Sequence, residues 1–193
     1  MADGGRVIGG SARGVRLLAP GEGTRPLTDR VKQSLFGALV ADGAVRPGTA
    51  FLDLFAGSGA AGIEALSRGA ERAVFVDRDA GAARIIARNL QAARLEGGAS
   101  VVRADALRFL GGDAAASGAP FDACLVDPPY GDEALTAALE WLGDAARAWL
   151  HDEALVVAKH FWRDEPPVTA GRLARERRKR FGETALTFYR YHQ

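Results

Sequence analysis

Cysteine is nearly absent from this chain: Cys124 is the only one among 193 residues, which excludes an intramolecular disulfide and a thiolate metal cluster. Histidine is almost as scarce. His151, His160 and His192 fall in no metal-ligand spacing, so no metal is expected. No apolar run approaches the roughly 20 residues that a membrane-crossing helix requires. The opening Met1-Ala2-Asp3-Gly4-Gly5-Arg6 is polar and glycine-rich, unlike a secretion signal, so a cytoplasmic protein without a membrane partner is expected. A large charge excess is missing too, the net being +1, and there is neither an internal repeat nor an interdomain linker. What remains is 48% apolar and 25% charged, enough to bury the core of one α/β domain with a short appendage. A monomer is expected.

The charges are unevenly placed. Arg6, Arg13, Arg16, Arg25, Arg30 and Lys32 outnumber Asp3, Glu22 and Asp29 at one end; Arg172, Arg175, Arg177, Arg178, Lys179 and Arg180 face only Glu176 near the other. If the fold joins these tracts they could form one phosphate-binding face, whereas each taken alone reads as solvated surface.

Short β-like pieces at Arg6-Val7-Ile8 and Val15-Arg16-Leu17-Leu18, with glycines between, predict a hairpin that must rest on something else. Thr28 can cap a helix carrying Val31, Leu35, Phe36 and Leu39 at helical spacing. Strands are then predicted at Ala50–Phe55, Ala73–Val76, Ser100–Val102, Phe121–Val126 and Ala154–Ala158. Helices are predicted at Ala60–Arg68, Ala80–Leu95, from Ala106, and over Glu133–Leu150, and Ala114 to Gly118 reads as a loop. This alternation implies a doubly wound, mostly parallel sheet with ligands at the carboxyl ends of its strands. Arg175–Phe181 and Thr184–Tyr191 around Gly182-Glu183 read as an antiparallel hairpin closing it. Phe36, Trp141, Trp149 and Trp162 are all expected in the core or at its edge, and of the four Trp162, after the strand ending near Ala158, is the best placed to serve instead as a base platform.

Two motifs carry chemistry. Asp53-Leu54-Phe55-Ala56-Gly57-Ser58-Gly59-Ala60-Ala61-Gly62 holds a GxGxxG between strand and helix, with Asp77 at the end of the next strand. Such a loop suits a dinucleotide, yet Asp53 just upstream would repel a pyrophosphate and attract the ammonium and sulfonium of S-adenosylmethionine. Asp77 can accept from ribose hydroxyls in either case, and Asp105 can accept from an adenine amine, cap the helix beginning at Ala106, or do both. The second motif is Asp127-Pro128-Pro129-Tyr130 after an apolar strand. Its two prolines stiffen the turn. The Asp127 carboxylate and the Pro128 carbonyl can accept the two N–H bonds of an exocyclic amine, and Tyr130 can stack on its ring.

With these motifs the chain resembles the class I S-adenosylmethionine-dependent methyltransferases that act on amines, and among them the bacterial RsmD-type 16S rRNA guanine-N2 methyltransferases. The segments Arg6–Gly10, Thr24–Lys32 and Lys179–Thr187 add to the likeness, which spans nearly the whole chain. It implies a Rossmann-like methyltransferase domain over 25–193 and an RNA-binding β-hairpin over 1–24. It implies S-adenosylmethionine bound by Asp53, Phe55, Ala56, Gly57, Ser58, Gly59, Asp77, Arg78, Asp105, Ala106 and Asp127, with catalysis at Asp127, Pro128, Pro129 and Tyr130. The partner implied is 16S rRNA or a small-subunit assembly intermediate, contacted by the hairpin arginines, Arg25, Arg30, Lys32 and Arg177 to Arg180. Two positions depart from the family pattern. Gln33 stands where an acidic residue is usual, and Lys159 where a Glu is usual near the end of the fifth core strand. Both alter the charge around the site and bear on its grip on substrate. The same amine-binding corner would serve a DNA or RNA adenine-N6 or cytosine-N4 methyltransferase, although the chain has little room for a DNA-recognition domain. A non-catalytic RNA-binding assembly factor and a nicotinamide oxidoreductase are the readings from other classes.

Overall fold

The computed structural model describes residues 2–19, 21, 27–129 and 133–192. Tyr130 and Arg25, both singled out above, lie outside the described residues. Strands β1 (Ala2–Arg6) and β2 (Arg16–Ala19) pair antiparallel, with Arg6 opposite Arg16. The hairpin is therefore present, but its first arm begins earlier than the apolar pattern suggested. Val7 and Ile8 instead enter a connection that docks on the body of the protein.

Helix α1 (Asp29–Ala41) starts at Thr28, whose hydroxyl accepts from the Val31 N–H at 3.4 Å, and buries Val31, Leu35, Phe36 and Leu39. Next come β3 (Ala50–Leu54), α2 (Ala60–Ser67), β4 (Arg72–Asp77), α3 (Ala80–Ala93), β5 (Ala99–Arg103), α4 (Ala106–Leu110), β6 (Phe121–Val126) and α5 (Ala134–Gly143). Strands β7 (Leu150–Phe161), β8 (Thr169–Ala170), β9 (Leu173–Phe181) and β10 (Thr184–Tyr191) complete one sheet in the order β5-β4-β3-β6-β7-β10-β9-β8. Strands β3 to β7 pair in parallel, while β10 pairs antiparallel with both β7 and β9. From β3 the chain winds outward to β4 and β5, then returns to place β6 on β3's other side. That reversal opens a crevice at the carboxyl ends of β3 and β6.

Side chains alternate across the sheet and fill two cores. Leu35, Phe36, Phe51 and Phe75 lie with α1, α2 and α3; Leu54, Leu110, Phe121 and Trp149 lie with α4 and α5. Full burial of each such side chain contributes about 1.5–3 kcal/mol. Trp149 also donates its indole N–H to the Leu110 carbonyl at 3.1 Å. Trp141 is partly buried beneath the Arg147 guanidinium, 4.1 Å from its centroid.

The boundary between α5 and β7 also differs from expectation. The helix predicted through Leu150 stops at Gly143, and β7 already begins at Leu150. Gly143 packs so closely on the Ala170 backbone that a side chain would collide with it. The Asp144 carboxylate then accepts from the Ala146 N–H and turns the chain through a short 3-10 segment.

Candidate active site

A cavity of about 850 Å³ lies over the carboxyl ends of β3, β4 and β6, within the range that holds a nucleoside-sized ligand. The glycine loop forms its floor. Gly57 and Gly59 take left-handed φ values of 56° and 74°, and Phe55, with a side chain, is held at 62°. Positive φ at a non-glycine residue is strained and persists where its surroundings enforce it. Here the Ala56 N–H donates to the Val76 carbonyl at 3.0 Å and the Gly57 N–H to Asp77 Oδ2 at 2.8 Å. Gly62 has another reason to lack a side chain, because a methyl group there would overlap the Phe75 ring.

Asp53 is buried at the end of β3, and its Oδ2 accepts from the Gly62 N–H at 2.9 Å. Gly59, the residue preceding α2, has no side chain to cap the helix, so a strand carboxylate does it instead. Burial, opposed by the Gly62 bond and reinforced by the nearby Asp127 and Asp77, pushes the Asp53 carboxyl up to about 8. A cation entering the cavity would favour its charged form. Asp77 also accepts from the Asp79 N–H at 2.9 Å. Asp105 caps α4 with Oδ1, accepting from Leu107 and Arg108 at 3.0 and 3.1 Å, and it lines the cavity together with Ala106 and Arg78.

The second wall is Asp127, Pro128 and Pro129, placed beside Asp53 because β6 pairs with β3. The Asp127 carboxylate meets Lys159 Nζ at 2.6 Å, and both side chains are largely buried. Burial raises the Asp127 carboxyl, and the lysine opposes that shift. Sequence spacing gave no sign of this pair. It follows from register, since Val126 lies opposite Ala158 in the β6–β7 ladder, so that Asp127, just past the end of β6, comes beside Lys159, still within β7.

Sequence reasoning also missed Asn89. It lies fully buried on the inner face of α3, where a lone amide among apolar neighbours was the available signal. Its amide nitrogen donates to the carbonyls of Ser58 and Leu18, and its oxygen accepts from the Leu18 N–H. The hairpin is thereby tied to the glycine loop. Ser67 on α2 adds a second anchor, accepting from the Ala12 N–H at 2.9 Å and donating to the Gly9 carbonyl at 2.6 Å.

The basic residues separate into groups. Lys32 is fully buried, donates to the Arg6 carbonyl and lies 3.7 Å from Asp29. Its assignment as a phosphate contact is corrected: the apolar face of α1 carries it inward. Along β9, side chains alternate between faces. Arg177 reaches Asp42 at 3.2 Å and covers Phe188, whereas Arg178 donates to the Trp162 and Asp164 carbonyls and pairs with Glu165. These two are engaged with protein partners. Arg6 pairs with Asp29, while Arg13, Arg16, Arg30, Lys179 and Arg180 are exposed. Arg30 lies over Phe181 and Arg180 over Trp162, at 5.9 and 3.5 Å from the ring centroids, so one face of Trp162 is already covered.

Among the described residues no cluster of His, Cys, Asp and Glu could hold a metal ion, and no helix is long and apolar enough to cross a membrane.

A solved structure with the same sheet fixes the class. The Escherichia coli protein yhhF, provisionally named a methyltransferase, matches with a TM-score of 0.85 at 34% identity, covering 99% of each chain. The fold is that of the class I S-adenosylmethionine-dependent methyltransferases. A family model described as "Conserved hypothetical protein 95" matches residues 5–190, and the chain belongs to that family, the RsmD-type methyltransferases. YlbH of Bacillus subtilis (strain 168), provisionally named an rRNA methyltransferase, is 41% identical over 186 residues, which are 96% of this chain and 98% of its own. Ribosomal RNA small subunit methyltransferase D of Escherichia coli (strain K12) is 36% identical over 185 residues, 95% of this chain and 88% of its own.

Proposed function

We propose that this protein transfers a methyl group from S-adenosylmethionine to the exocyclic N2 amine of a guanine in 16S rRNA, either free or in an assembling small subunit. One observation carries the reading: a single cavity joins Asp53 and the glycine loop to the acceptors at Asp127 and Pro128. The names of the relatives support rRNA as the substrate.

The residues fit the donor. Asp53 occupies the N-terminus of α2, where a dinucleotide would need its pyrophosphate. The carboxylates suit an ammonium and ribose hydroxyls, with Asp53, Phe55 to Ser58, Asp77, Arg78, Asp105 and Ala106 as the binding set on the cavity wall and Gly59 shaping the loop behind them. When bound, the donor supplies an electrophilic methyl group on a sulfonium.

The chain's own residues then address the amine. The guanine N2 lone pair is delocalised into the ring. Asp127 and the Pro128 carbonyl accept its two N–H bonds, favouring a pyramidal nitrogen, and Tyr130 stacks on the base for about 1–3 kcal/mol. Asp127 need not be a strong base, because the alkylated amine sheds its proton readily. Placement and exclusion of water supply much of the acceleration. A paired guanine cannot enter such a notch, so the target is single-stranded or flipped out. The hairpin, Arg30, Lys179 and Arg180 are the phosphate contacts of this reading, and the protein works as a cytoplasmic monomer.

Mass mapping of modified nucleosides in small-subunit rRNA, from cells with and without the protein, tests it. One N2-methylguanine should vanish with the protein and return with the wild type. Asp127→Ala should restore it at a rate lower by about 10²–10⁴-fold while still giving binding heat with S-adenosylmethionine. Methyl groups on adenine N6 or cytosine N4 would assign the corner to another amine. No heat with the donor would leave an RNA-binding factor.

A further inference from the structure

Lys159 sets a shielded cation directly into the acceptor notch. Its Nζ lies 2.6 Å from Asp127 Oδ1, with 10% of the lysine side chain and 19% of the aspartate exposed. The joint between β6 and β7 does not depend on this pair, because the ladder continues through Ala123–Val126 against Leu155–Ala158 in the apolar core. Buried ion pairs are also weak stabilisers compared with apolar residues of similar volume. Its position at the ligand end of the sheet therefore points to the site rather than to the fold.

We propose that Lys159 is a positioning residue for the methyl transfer described above: its ammonium fixes Asp127 Oδ1 and keeps the carboxylate ionised, so that Oδ2 meets the substrate amine as a charged acceptor. This rests on that reading of the reaction. The surroundings otherwise favour a neutral Asp127. Asp53 on β3 stands beside it, with Asp77 on β4 behind, and Asp105 before α4 and Glu133 before α5 line the same cavity. Besides Lys159, Arg78 is the cation on the described cavity wall. Burial raises the Asp127 carboxyl, and Lys159 opposes it through charge and a hydrogen bond. Once protonated, Asp127 would offer the amine a neutral acceptor, and such bonds are roughly half as strong as charge-assisted ones.

Lys159→Met and Lys159→Arg test the proposal against wild type, with kcat and KM for small-subunit rRNA measured from about pH 5 to about pH 9. Lys159→Met should lower kcat about tenfold or more at neutral pH, leave KM for RNA nearly unchanged, and move the acidic limb of the profile upward. Lys159→Arg should restore the limb. Independently of turnover, the Asp127 carboxyl carbon followed by NMR should titrate at higher pH in Lys159→Met; Lys159→Gln serves if the methionine variant does not fold. An unmoved limb with an unmoved titration would overturn the proposal, as would a uniform loss that Lys159→Arg fails to rescue. If wild type itself makes no methylguanine, the reaction assignment fails, and the titration still decides whether Lys159 governs Asp127.

Discussion

Asp53 shows how one buried carboxylate can join folding to ligand binding. Its folded-state value of about 8 lies above the ordinary 3.8. Between those values the folded protein holds a proton that the unfolded chain has released, so stability falls as pH rises from about 4 through about 8. Thermal unfolding across that window should show the decline, and Asp53→Asn, which keeps an oxygen for the Gly62 N–H, should flatten it. Binding of a cationic donor at neutral pH should also expel the proton. Calorimetry in buffers of different ionisation enthalpy would then show proton release for wild type and none for the Asp53→Asn variant. The sequence placed Asp53 beside a cation site, but not the helix it caps, because the bond to Gly62 depends on how α2 leaves the strand.

Glycines in the elements serve different ends, and only their surroundings distinguish them. Gly62 lets α2 lie against β4, so Gly62→Ala should overpack the Phe75 ring and destabilise the protein by about 1–3 kcal/mol. Gly37 is exposed in α1 and has open space where a methyl group would stand, so Gly37→Ala should stabilise the protein by about 0.4–1 kcal/mol. Denaturant midpoints of the two variants should move in opposite directions. Helical and strand periods predicted most elements because apolar faces repeat along them: Val31, Leu35, Phe36 and Leu39 in α1 are the clear case. The same logic failed after α5. Leu142, Trp149 and Leu150 continue an apolar pattern, and the break at Gly143 comes from its packing against Ala170, far along the chain.

Across the whole molecule, the two basic tracts meet only in part. Arg30 lies over Phe181 at the end of β9, but Lys32 is turned inward and Arg177 and Arg178 are engaged with protein acceptors. The exposed pair Lys179 and Arg180 is therefore the better probe of RNA binding. Changing both to glutamate should weaken binding to small-subunit rRNA and reduce the slope of log affinity against log salt by about 0.7 for each phosphate that the protein no longer neutralises. An unchanged slope would remove β9 from the RNA surface. The sequence by itself determined the alternating α/β order, the glycine loop and the Asp127-Pro128-Pro129 corner, since local periodicity and backbone chemistry are written into neighbouring residues. Only the tertiary structure decided that Lys159 meets Asp127, that Asn89 ties the hairpin to the loop, and that Lys32 faces the core. Those pairings depend on strand register and helix docking, which join residues too far apart in the chain for any local pattern to encode.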